Sequence, residues 1–90
     1  MNSDWDDGNR GHATRHGVSM KEVEEAVLDP RRIIRRAYRF RGERRFGITG
    51  AARSGRIITV IYTLRPEGVR PFAAWPANNW EEQAYQEATK

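Results

Sequence analysis

Apolar residues recur at two different periods along the chain, and the change of period separates helical from extended stretches. The clearest helix spans residues 19–28. Ser19 and Glu22 stand at capping-box spacing, and Val18 and Val23 at the spacing of a hydrophobic staple. Met20, Val23 and Val27 form its apolar stripe, helped by Ala26, while Lys21, Glu24 and Glu25 fall on the wet side. Asp29-Pro30 ends it, because a residue before proline avoids the α region. Upstream, residues 8–16 read as a short helix with Asn9, His12 and His16 at helical spacing, weakened by glycines at 8, 11 and 17.

From residue 33 the period falls to two. Residues 33–41 alternate, with Ile34, Arg36, Tyr38 and Phe40 on the face expected to be buried and Arg35, Arg39 and Arg41 opposite with Ile33 and Ala37. Gly42 turns the chain into a second strand at 43–49, which sets Arg44, Phe46 and Ile48 against Glu43, Arg45 and Thr49. Gly50 to Gly55 reads as a loop. Residues 56–64 are β-branched and apolar on both faces, the signature of a central strand. Pro66-Glu67-Gly68 is a turn. The strand at 69–75 contains Pro71, which lacks an amide donor and predicts an edge or a bulge there. Asn79 with Glu82 is then expected to cap a last helix carrying Trp80, Ala84 and Ala88. The fold class is α+β: N-terminal helices, a four-stranded antiparallel meander, and a C-terminal helix. The helices are expected on one face of the sheet and the arginines on the other.

Length and composition narrow the chemistry. Residues 1–90 are expected to form a single domain whose modest core favours a surface groove over an enclosed pocket. The absence of cysteine excludes a disulfide scaffold and cysteine-based zinc sites, and fits a reducing cytoplasm. No apolar run approaches membrane-spanning length, so no membrane partner is expected, and the acidic N-terminus lacks the pattern of a signal peptide. Charge is sharply partitioned. Residues 1–30 hold three Lys/Arg against seven Asp/Glu; residues 31–70 hold twelve Arg against Glu43 and Glu67, a net of +10; residues 71–90 hold Lys90 against three Glu. Arginine presents a planar fork of donors that matches phosphate. The middle segment is therefore expected to bind a polyanion or an acidic partner.

No metal or cofactor is expected. His12 and His16 are four apart but lack the H-E-x-x-H pattern and a third ligand. There is no P-loop, no G-x-G-x-x-G after a strand, and no partner set that would make Ser54 a triad nucleophile. The chemistry that fits is RNA cleavage without metal. A base takes the 2′-hydroxyl proton, guanidinium groups stabilise the phosphorane, and an acid protonates the leaving 5′-oxygen. Glu43 is the lone acidic residue between Pro30 and Arg65, set among Arg41, Arg44 and Arg45. Each candidate has a plainer alternative: a solvated ion pair for Glu43, a helix cap for His16, and a core position for Tyr62, Trp75 and Trp80. Because residues two apart on a strand share a face, Glu43, Arg45 and Thr49 should project together, flanked by Arg39 and Arg41 on one side and Arg65 on the other.

The residues Trp5-Asp6, Asn9, Arg15-His16-Gly17-Val18-Ser19, Glu22 to Ala26 and Asp29-Pro30 resemble the N-terminal half of the BrnT family. Glu43-Arg44-Arg45-Phe46, the Gly50 loop, Gly55-Arg56, Ile61-Tyr62-Thr63 with Arg65, Val69-Arg70, and Glu81-Glu82 through Tyr85 resemble its strands and last helix. The resemblance implies a RelE-like fold and a toxin that cleaves RNA, mRNA free or on the ribosome, and so arrests translation. It also implies a cognate antitoxin whose ribbon–helix–helix part binds DNA, assembled with the toxin as a heterotetramer or beside a toxin homodimer. The polar positions that match are His16, Glu43, Arg44, Arg45, Tyr62, Arg65 and Arg70. The expected catalytic set is Glu43, Arg45, Tyr62, Arg65, Arg70 and His16, with Arg39, Arg41, Arg44, Arg53 and Arg56 contacting RNA. One departure stands out: where the family's last strand ends in an arginine, this chain has Trp75. A catalytically weak or inactive module that binds an antitoxin or nucleic acid is the alternative.

Overall fold

The computed structural model describes residues 2–89; the side chains of Asn2, Arg36, Ala37, Tyr38 and Phe40 lie outside that description, and with them the faces that alternation suggests for these four residues of 36–40. The elements run β1 (Asn2–Ser3), α1 (Asp7–Thr14), α2 (Met20–Leu28), β2 (Ile33–Phe40), β3 (Glu43–Ala51), β4 (Ile57–Arg65), β5 (Gly68–Pro76) and α3 (Asn79–Ala88). Strands β2 to β5 form the antiparallel meander, and the sheet order is β1-β5-β4-β3-β2. β1 is an addition to the sequence reading. It pairs parallel with the start of β5, Asn2 beside Gly68 and Ser3 beside Val69, and two residues are too few to leave a period.

Helix α2 is fixed at its start as the sequence requires. The Ser19 hydroxyl accepts from the Glu22 amide at 3.1 Å, and the Glu22 carboxylate accepts from the Ser19 amide at 3.0 Å. Its stripe of Val23, Ala26 and Val27 enters a core with Val18, Ile48, Ile58, Val60, Tyr62, Val69 and Ala74. Val23, Val27, Ile48, Ile58 and Val60 are wholly excluded from water, and each such side chain contributes about 1.5–3 kcal/mol relative to exposure. Gly50 belongs to β3 rather than to a loop. A Cβ there would lie 2.3 Å from the Ala26 carbonyl oxygen, so glycine is what lets the helix backbone lie against the strand.

The second sheet face is not left to arginines. Thr49 and Thr59 are cross-strand partners on it, fully buried, with their hydroxyls 2.8 Å apart. Glu81 of α3 reaches over this face and accepts from Arg35 of β2 and Trp75 of β5, both at 3.0 Å. The same carboxylate accepts from the Asn78 amide, so the cap of α3 is Asn78 with Glu81, one residue earlier than the Asn79–Glu82 pair. Local sequence allows either box, and the two tertiary contacts of Glu81 select one.

Two bulges set what the strands present. β2 shifts register between Arg36 and Tyr38, and β5 shifts between Ala73 and Pro71, leaving Phe72 as the extra residue beside the proline. Ile34, expected inside, is 49 % exposed. It pairs with Ile48, but β2 is the sheet edge and α2 packs on β3 and β4. No helix among the described residues is long and apolar enough to cross a membrane.

Candidate active site

Three strands and the start of α1 converge on a cleft of about 210 Å³ lined by Glu43, Arg45, Thr63, Arg65, Arg70 and Phe72, with Gly8 and Asn9 at its rim. Register explains the convergence. Arg45 of β3 pairs with Thr63 of β4, which pairs with Arg70 of β5, so the three share one row on one face. Two strand spacings, roughly 10 Å, separate the outer backbones, and the small threonine between them leaves room for an anion.

Arg45 is 7 % exposed, with its guanidinium carbon 3.7 Å from the centroid of the Phe72 ring. Burying a guanidinium against an aromatic face fixes its plane, which suits directional contact with an oxyanion. The Arg65 guanidinium donates to Glu43 at 2.5 Å. That hydrogen bond is the chief cause that holds the Glu43 carboxyl below the usual glutamate range; partial burial opposes it, and the charges of Arg65 and Arg45 and a bond from Thr63 add to it. Glu43 also borders a second hollow with Arg39, Arg44, Phe46 and Leu64, and Arg65 borders a third with Ser3, Asp4 and Glu67. The Glu43–Arg65 pair is thus a ridge with depressions on both sides.

Arg70 closes the cleft and ties down the N-terminal segment. It lies 2.9 Å from an Asp6 carboxylate oxygen and 3.4 Å from one of Asp4. The hydrogen bond that Arg70 donates to Asp6 raises the Arg70 pKa, and the same bond lowers that of Asp6. Asp6 is also the N-cap of α1, accepting from the Gly8 and Asn9 amides, and Asn9 reaches the Pro71 carbonyl at 2.8 Å.

Other expected site residues lie elsewhere. Tyr62 sits in the core on the opposite face, its ring stacked on Phe46 with centroids 5.7 Å apart, and burial pushes its hydroxyl pKa up. His16 is exposed in the turn after α1 and does not line the cleft. His12 comes nearer, its ring centroid 4.7 Å from that of Phe72. Its helical spacing from Asn9 was the available sequence signal, whereas nothing local marked Phe72. Arg39 pairs with Arg44, one residue out of phase with Glu43, and Arg41 occupies a left-handed turn position with φ 51°. Arg53 and Arg56 are at the far end of the sheet, facing Glu25 and Glu22 of α2 at 3.9 and 3.2 Å. The basic segment is therefore split between two ends of the molecule rather than spread over one face. Among the described residues, no cluster of three or more His, Asp or Glu is placed to hold a metal ion.

The strand ends of this small α+β sheet thus gather Arg45, Arg65 and Arg70 around one cleft, with Glu43 bonded to Arg65. Residues 5–81 match the family model of the ribonuclease toxin BrnT of type II toxin–antitoxin systems, and the chain belongs to that family. It is accordingly a ribonuclease toxin whose substrate is RNA and whose partner is a cognate antitoxin protein. No curated protein matches the chain in sequence.

Proposed function

We propose that the cleft between β3, β4 and β5 cleaves RNA without a metal ion, destroying mRNA and so halting translation. The observation that carries this reading is the Arg45–Thr63–Arg70 row, with Arg65 held by Glu43 beside it. In the reaction the ribose 2′-oxygen attacks the adjacent phosphorus as its proton leaves to a base. The bond to the 5′-oxygen then breaks as that oxygen takes up a proton, giving a 2′,3′-cyclic phosphate and a 5′-hydroxyl. Arg45 and Arg65 meet the phosphorane oxygens, where preorganised donors act most strongly. Arg70 completes the positive wall, and Arg39, Arg41 and Arg44 at the adjoining β2–β3 hairpin contact the RNA beyond the scissile bond. His16 and Tyr62 take no part, since neither lines the cleft. A cognate antitoxin with an acidic segment covers the arginines; a ribbon–helix–helix part works as a dimer and would gather two toxins into a heterotetramer.

The test is incubation of purified protein with RNA in EDTA. Cleavage that leaves cyclic phosphate ends, slowed by about 10²–10³ but still measurable in Arg45→Ala, is the expected result. RNA that stays intact while the protein binds it favours a second reading, an inactive binding module. One observation motivates that alternative: at the position of the family's strand-end arginine, the Trp75 indole donates to Glu81 and offers no cation.

A further inference from the structure

We propose that Phe72 is a positioning residue for this reaction, the anvil that holds the Arg45 guanidinium in the plane from which it meets the phosphate. The inference rests on reading the cleft as the site of cleavage. Three observations on different elements support it. The register shift in β5 makes Phe72 the extra residue between Ala73 and Pro71, which turns its side chain toward the cleft it lines. Arg45 arrives from β3 and lies 3.7 Å from the ring centroid. His12 arrives from α1 with its ring 4.7 Å from the same phenyl group, so the phenyl is itself wedged in place. A long arginine side chain is costly to order. An aromatic face removes that freedom before substrate arrives and fixes the plane of the guanidinium. The bulge thus has a purpose beyond accommodating Pro71.

The measurement compares Phe72→Leu, which keeps apolar bulk, with Phe72→Tyr, which keeps the aromatic face. Phe72→Leu should lower kcat on the order of tenfold, the worth of one such contact at a half-buried site, with KM little changed. Phe72→Tyr should restore the wild-type rate. In an Arg45→Ala background Phe72→Leu should have no further effect, because the two residues act as one unit. Additive losses, or a Phe72→Tyr variant as poor as Phe72→Leu, would overturn the proposal and leave Phe72 a packing residue. A readout independent of cleavage separates this failure from that of the functional reading. Ring currents of Phe72 should shift the Arg45 side-chain protons upfield in the NMR spectrum, a shift kept in Phe72→Tyr and lost in Phe72→Leu. If the wild type cleaves no RNA yet shows that shift, the functional reading fails while the positioning of Arg45 stands; absence of the shift in wild type refutes the positioning directly.

Discussion

Replacing Glu43 by glutamine separates two roles for the carboxylate bonded to Arg65 in the cleft. As a general base it would supply on the order of 10²–10⁴ in rate, all of it lost in the amide. As the residue that orients Arg65 it would lose far less, because the glutamine carbonyl still accepts from the Arg65 guanidinium that Glu43 holds at 2.5 Å. Arg65 depresses the Glu43 pKa, and a depressed carboxyl is a poor proton acceptor. The sign of the pH dependence follows. The ionised form is complete through the neutral range and is lost only as pH falls through the lowered folded value. From about pH 5 to about pH 8 the wild-type rate should therefore carry no ionisation belonging to Glu43. We expect Glu43→Gln to cleave within about tenfold of wild type, roughly the difference between a charge-assisted and a neutral hydrogen bond. Arg65→Ala should fall by about 10²–10³ as a donor to the phosphorane is lost. The assay is single-turnover cleavage of a labelled RNA, with thermal melts as the folding control. Both side chains of the pair are more than a third exposed, so the melts should barely move. A thousandfold loss in a folded Glu43→Gln protein would refute the orienting role and make Glu43 the base.

Asp29→Ala should destabilise the fold by about 2–4 kcal/mol in urea titrations, because its carboxylate accepts from the Ala51 and Arg31 amides and the Tyr85 hydroxyl, joining α2, β3 and α3. Burial opposes its ionisation but those bonds prevail and hold its pKa below the usual aspartate range; the stabilisation should be full above that range and disappear in acid as pH falls through the lowered value. For RNA binding, Arg44→Ala should reduce the slope of log affinity against log salt by about one. Arg56→Ala should leave that slope unchanged, since Arg56 is engaged by Glu22 and the Gly17 carbonyl at the far end of the sheet.

The sequence was most legible where a signal is local. The Ser19–Glu22 box, the Val18–Val23 pair and the β-branched run of β4 all appear as expected, because capping and alternation are decided within a few residues. It was least legible where another element decides. Ile34 has the pattern of a core residue, but its strand lies at an edge that α2 does not cover. The cap of α3 depends on Arg35 and Trp75, distant in sequence. In the site, two-residue periodicity placed Glu43 beside Arg45, and the meander carried Arg65 to them. It also set Arg39 on their side, whereas the register pairs Arg39 with Arg44. Arg45, expected to project into solvent, lies over Phe72, because the bulge that aims Phe72 is a property of strand pairing and not of any short motif. Truncating Arg45 thus removes packing as well as charge.

The cleft draws on Gly8 and Asn9, on 43–45, on 63–65 and on 70–72, with the Arg70–Asp6 tie spanning 64 positions. Without β5 the cleft would lack one wall, because Arg70 and Phe72 both come from that strand. The proposed site is therefore complete only when β5 is seated between β4 and the N-terminal segment that Arg70 ties down.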